Sequence, residues 1–286
     1  MSRTGFLVVD KPPGPTSHDI VAEARRATGI TKIGHAGTLD PPATGALVLA
    51  LGRATRLIRY VQDFDKEYHA MVSFGIATTT GDATGEEVER RPMPISAGEV
   101  EGVLAGFRGN IEQMPPMVSA LKIGGKRLYE IARKGEEVER PPRPVHVYQL
   151  ELKSFEPGEH PRAELWVVCS KGTYIRTLAD DIARALGGRA HLTALRRTRV
   201  GEFSVARSPT QLSWEGWEKA LLPLEAAAAG MEQVILNEAE SQAVSHGRPV
   251  SSSGPEGPLA MVDDGGRLMA VYRRSGEEAR AEVVLA

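Results

Sequence analysis

Apolar and polar positions fall into short blocks whose periods alternate between two and about 3.6, which predicts a mixed α/β (α+β) fold. Residues 5–10 read as a buried strand that ends at Lys11-Pro12-Pro13-Gly14. A helix follows, with Thr16 and Asp19 as a capping box, Ile20, Val21, Ala24 and Ala27 on one face, and Gly29 as its stop. Ala46–Leu51 is a strand, 53–62 a helix, and Tyr68, Ala70, Val72 and Phe74 share one face of the next strand. Ser96 and Glu99 open a helix that runs to about Phe107. Strands at 145–155 and 162–170 are joined by Glu156-Pro157-Gly158. Gly172-Thr173 then leads into a helix with Ile175, Leu178, Ile182 and Leu186 as its buried stripe. An alanine-rich, helix-like stretch follows Pro223. A small unit begins near Val234, with a helix from Asn237 to Gly247 and strands at 259–263, 267–273 and 279–285. The expected division is a large domain over 1–232, with a Gly/Pro-hinged excursion at about 110–150, and a small one over 233–286.

Composition narrows the partners. The net charge is −2 with a pI near 6.4, so a nucleic-acid partner has to be argued from local patches. Such patches exist. Lys122 to Arg143 carries seven Lys/Arg against four acids, and Lys171 to Arg199 seven against two. Lys122, Lys126 and Arg127 are candidate phosphate contacts. Arg196, Arg197 and Arg199 read as further basic surface. The single cysteine, Cys169, excludes an intrachain disulfide and reads as a buried thiol. Neither a metal-ligand cluster nor a nucleotide motif is present, so no metal and no cofactor are expected. No run approaches the length of a membrane span, and the apolar start is too short for a signal peptide, so the expected compartment is the cytoplasm.

One stretch breaks every regular pattern. Gly34 to Gly45 holds three glycines and two prolines between a helix and an apolar strand, which suits an ordered loop. Asp40 is its only carboxylate, and Pro41 biases Asp40 toward extended backbone. On its own, Asp40-Pro41 reads as a turn, and Tyr68 as core. Arg176 stands in the first turn of its helix, where the dipole disfavours a cation. An ion pair with Asp180 at i+4 is its plain explanation. Lys11 reads as a solvated lysine at a strand end, Asp82 as an Asx turn, and His35 as bonded into its own loop.

The string Gly34-His35-Ala36-Gly37-Thr38-Leu39-Asp40-Pro41-Pro42-Ala43-Thr44-Gly45 resembles the catalytic motif of the TruB family of pseudouridine synthases. Val9-Asp10-Lys11-Pro12, Lys66-Glu67-Tyr68 and Lys171-Gly172-Thr173-Tyr174-Ile175-Arg176 resemble three more of its motifs, in family order. The resemblance implies the pseudouridine synthase fold, with a mixed, largely antiparallel sheet and a small C-terminal PUA-like RNA-binding β-barrel. It implies conversion of uridine 55 in the tRNA T-loop, with Asp40 catalytic, Tyr68 stacked on the target base and Arg176 paired with Asp40. His35 would fill the space the flipped base leaves. Tyr174 and Leu195 would line the base pocket, Lys11 would take the lysine position of the first motif, and Asp82 would help hold Arg176. The excursion at 110–150 would clasp the T-arm stem-loop. A monomer that acts without guide RNA is expected.

The chemistry sets its own demands. N1–C1′ must break and C5–C1′ form, which calls for a carboxylate near C1′ or C2′, as nucleophile or as base. That carboxylate must stay ionised in a closed pocket, for which a paired cation is needed. Two other classes stay open: an RNA-binding or RNA-folding protein on the same scaffold, and an N-glycosidase that would release free uracil.

Overall fold

The computed structural model describes residues 3–119, 121–128, 131, 136, 138–207 and 214–285. The elements, in chain order, begin with β1 (Gly5–Lys11), α1 (Ser17–Thr28), β2 (Ile33–His35), β3 (Thr44–Leu51), α2 (Ile58–Asp63) and β4 (Lys66–Phe74). β5 (Ile76–Thr78), β6 (Glu87–Arg90), α3 (Ala97–Leu104), β7 (Gly109–Gln113), β8 (Lys122–Ile123) and β9 (Lys126–Arg127) follow. Next come β10 (Arg143–Glu156), β11 (Arg162–Cys169), α4 (Ile175–Ala185), β12 (Ala190–Val200) and β13 (Phe203–Ser204). The last unit holds β14 (Glu232–Ile235), α5 (Glu238–Ser245), β15 (Val250–Ser251), β16 (Gly257–Val262), β17 (Leu268–Ser275) and β18 (Glu278–Val284).

The central sheet has the order β1-β3-β12-β4-β11-β10-β7, with β2 and β13 attached at its side. All its pairs are antiparallel except β3 with β12. Strand alternation sorts side chains between its faces. Tyr68, Ala70, Val72 and Phe74 pack with α3 and α4 in one cluster. Leu7, Val9, Leu47 and Leu49 pack with Ile20, Val21 and Ala24 of α1 in a second, and Leu195 packs against both. The opposite positions on β1 and β3, Phe6, Val8, Ala46 and Val48, join Leu57 and Val61 in a third.

This third cluster continues into the C-terminal unit through Ala260, Val262, Val271, Val283 and Leu285. That unit is a curled half-barrel sheet in the order β14-β16-β17-β18-β15. Its other face packs on α5 through Tyr272, Met261 and Val244. The small unit thus owns one side of its core and shares the other.

Two helical expectations change. Residues 52–57 form a 3-10 turn before the short α2, instead of one helix over 53–62. Side chains three apart eclipse in a 3-10 turn, which lets Arg53 and Arg56 donate to the adjacent carbonyls of Leu285 and Val284. The alanine-rich stretch is a 3-10 turn over 224–228, not an α-helix, and its Glu225 accepts from the Leu268 N–H at 2.7 Å. Of the excursion, β8 and β9 form a small hairpin. The side chains of Lys122, Lys126 and Arg127, and the helix expected up to Lys134, lie outside the described residues. Among those residues no helix is long and apolar enough to cross a membrane.

Candidate active site

The loop that carries Asp40 is pinned by its peptide groups. The Lys11 ammonium donates to the carbonyls of Pro12 and Pro41, at 2.9 Å each. The Ser17 hydroxyl, at the start of α1, both donates to the Leu39 carbonyl (3.1 Å) and accepts from the Leu39 N–H (2.9 Å). Leu39 and Ala43 are sunk in the α1 cluster. The Asp40 carboxylate, by contrast, points into an open cleft and its side chain is 39% exposed. The expectation of a closed pocket does not hold for the protein alone.

Arg176 meets Asp40 across this cleft. Its Nη2 lies 3.0 Å from Oδ2 of Asp40, and its side chain is only 6% exposed. The guanidinium also donates to the carbonyls of Thr80 (2.7 Å) and Val118 (2.8 Å). The alternative partner, Asp180, is taken by Arg184 and Arg189. Asp82 acts on Arg176 at one remove. Its carboxylate accepts from Thr80 Oγ1, Thr84 N and Thr84 Oγ1, an Asx-turn arrangement that shapes the loop presenting the Thr80 carbonyl.

Tyr68 is nearly buried on β4, where burial raises its phenol above the usual range and the Arg197 cation opposes that rise. Tyr174 caps α4, and Leu195 lines the same cleft, of about 610 Å³, that holds Asp40, Tyr68 and Arg176. His35 is not in the wall of that cleft. It stands at the end of β2, edge-on to His18 with ring centroids 5.1 Å apart, and burial and His18 lower its pKa. Lys11 is wholly buried and not the solvated lysine its position suggested. Burial pushes its pKa down to about 8, against the pull of Asp40.

Three further residues escaped the sequence reading. Lys66 lies in the cleft wall and donates to the carbonyls of Gln62 and Phe64 at 2.5 Å, with burial lowering its pKa to about 8. Its two-residue spacing from Tyr68 was the available signal. Gln113 clamps the Tyr174 backbone: Oε1 accepts from N at 3.0 Å and Nε2 donates to O at 3.3 Å. No pattern marked it. Arg197, expected on the basic surface, is 2% exposed and donates to the carbonyls of Ala46, Thr38 and Gly37. Arg196 and Arg199 are partly exposed but paired, with Asp10 and Glu67. Near Asp40 the cleft is therefore cationic, with Lys66, Arg176 and Arg197 in its wall and Arg143 and Lys171 beside them. Lys171 is partly offset by Asp63 at 2.7 Å. Such a cleft, with the Asp40 side chain inside, suits a polyanion whose reacting group is a neutral base. Among the described residues no group of three or more His, Cys, Asp or Glu is arranged to hold a metal.

The comparisons with known proteins agree along the chain. The model of the TruB family pseudouridylate synthase N-terminal domain matches residues 25–175. Two C-terminal models follow, the tRNA pseudouridylate synthase B C-terminal domain at 176–229 and the tRNA pseudouridine synthase II C-terminal domain at 231–286. A tRNA pseudouridine synthase B from Symbiobacterium thermophilum is 50% identical over 85% of this chain and 82% of its own. One from Thermobifida fusca is 43% identical over 99% of this chain and 98% of its own. Among solved structures, an H/ACA RNP bound to a substrate RNA containing 2'-deoxyuridine matches with a TM-score of 0.76 and 26% identity, over 99% of this chain and 85% of that one. A Cbf5-Nop10-Gar1 complex matches with 0.76 and 28%, over 99% and 83%. The chain belongs to the TruB family of pseudouridylate synthases.

Proposed function

We propose that this chain isomerises uridine 55 in the T-loop of tRNA to pseudouridine, as a monomer in the cytoplasm and without guide RNA. The observation that carries the reading is the Asp40–Arg176 pair at 3.0 Å, set in a cleft with the Tyr68 ring. The target base leaves its stack at a cost of a few kcal/mol. Tyr68 and Leu195 then hold the base, Tyr174 lines the pocket, and His35 fills the gap left in the loop. Asp40 attacks C1′, or takes the proton that starts glycal formation, and N1–C1′ breaks. The uracil turns and C5 bonds to C1′, as the Asp40–C1′ bond breaks or as Asp40 returns its proton to C2′; the C5 proton is then lost and a proton is gained at N1. Arg176 pairs with the Asp40 carboxylate while the RNA excludes water.

In the same reading residues 1–232 are the catalytic domain, with Lys122, Lys126 and Arg127 on its RNA-clasping excursion at about 110–150. Residues 233–286 are a PUA-like RNA-binding domain. The test is to incubate the chain with a T-arm stem-loop, digest the RNA and separate the nucleosides. One pseudouridine per RNA, at unchanged RNA mass, is expected. Free uracil would mean an N-glycosidase, and bound but unaltered RNA would mean a binding protein.

A further inference from the structure

Arg197 is the largest fully buried side chain among the described residues. A guanidinium stays protonated wherever it is placed. Burying one is costly unless its charge is met, and a carboxylate usually meets it. Here the partners are carbonyl oxygens: Ala46 at 2.8 Å from Nε, Gly37 at 3.1 Å from Nη2 and Thr38 at 3.4 Å from Nη1. Two of these belong to the turn just before Asp40. The cross-strand partner of Arg197 is Tyr68, so both side chains rise from the same face of adjacent strands. Both side chains line the same cleft, and the Arg197 cation opposes the rise that burial gives the Tyr68 phenol. The main chains of β3 and β12 also run close here. At Gly45 an added Cβ would lie 2.0 Å from the Arg197 carbonyl oxygen.

We propose that Arg197 is a positioning residue for the isomerisation: one guanidinium ties the loop that presents Asp40 to the strand that presents Tyr68, and so sets the distance between carboxylate and base-stacking ring. The inference rests on the functional reading above. It needs a planar fork, because a lysine ammonium cannot meet Gly37, Thr38 and Ala46 in their present directions. The near-attack geometry of a flipped uridine depends on that distance, so loosening it acts on the chemical step more than on RNA capture.

Arg197→Lys is the first variant. Its kcat on the T-arm stem-loop should fall about 100-fold, with KM within about threefold of wild type. A kcat within threefold of wild type overturns the proposal, and so does a loss that lies mainly in KM. A second measurement covers an Arg197→Lys protein that does not fold. Tyr68→Phe keeps the ring and removes only the hydroxyl. In nitrogen-labelled full-length protein it should shift the Arg197 Nε–H resonance, and unchanged Arg197 side-chain signals overturn the proposal. Failure of the wild-type chain to form any pseudouridine would instead refute the functional reading, and the resonance shift would still report on the proximity of the two side chains.

Discussion

Arg176, in the helix between β11 and β12, and Asp40, in the loop between β2 and β3, meet at 3.0 Å, the arginine buried and the aspartate open to the cleft. The first turn of α4 is a poor place for a cation. The carbonyls of Thr80 and Val118 and the Asp40 carboxylate together offset that position. Arg176→Lys keeps the charge but cannot serve three acceptors with one planar group. Turnover should fall about 100-fold while RNA affinity changes by less than about threefold. Single-turnover kinetics beside filter binding checks the split, and equal losses in both would assign Arg176 to RNA capture.

Lys11 makes a pH-dependent contribution of unusual sign. Its pKa falls from an ordinary 10.5 to about 8 in the folded protein because it is buried. Below about pH 8 both folded and unfolded chains hold the proton, and the burial cost is borne in full. Between about 8 and 10.5 the unfolded chain holds more protons, so this residue's contribution to stability rises with pH. Urea denaturation of wild type and Lys11→Met across that window is the check. The wild type should gain on the variant as pH rises, and parallel curves would contradict the assignment.

Gly45 has φ +100°, and a Cβ there would sit 2.0 Å from backbone oxygen where β3 meets β12. Gly45→Ala should cost at least about 2 kcal/mol, because both strain and clash oppose it. Thermal denaturation reads the loss, and an unchanged midpoint would mean the two strands separate easily at this point.

The C-terminal unit is acidic, with five arginines against eight Asp/Glu over 233–286. Four of those arginines, Arg267, Arg273, Arg274 and Arg280, are paired with carboxylates. Its apolar face is shared with Phe6, Val8 and Leu57. Removing 233–286 should therefore leave a catalytic part that aggregates or melts without cooperativity, and the full chain should show one calorimetric transition. Two separate transitions would show independent units.

Local patterns were legible where one rule governs them. The capping boxes at Thr16 and Ser96 are formed, and Asn237 opens its helix as expected. The inward row from Tyr68 to Phe74 was readable from its alternation. Arg197 was not, because β12 carries bulges between Leu192 and Ala194 and between Arg197 and Arg199, so parity along the strand does not tell inward from outward. Lys11 was misjudged because its partners are loop carbonyls from Pro12 and Pro41, which composition cannot reveal. The 3-10 turn at 52–57 was missed because its arginines answer to carbonyls at the far end of the chain. The motif around Asp40 was legible only as a string. Its cleft is built by residues from β4, α4 and β12, distant in sequence.

The account stands or falls on Asp40. The most direct measurement is tritium release from 5-tritiated uridine in a T-arm stem-loop, run side by side for wild type and Asp40→Asn, with RNA binding measured on the same samples. Asparagine keeps the shape and loses the charge. The account predicts one tritium released per RNA by wild type, none above background by Asp40→Asn, and RNA affinities within about threefold of each other. Release by Asp40→Asn at a rate near that of wild type would contradict it.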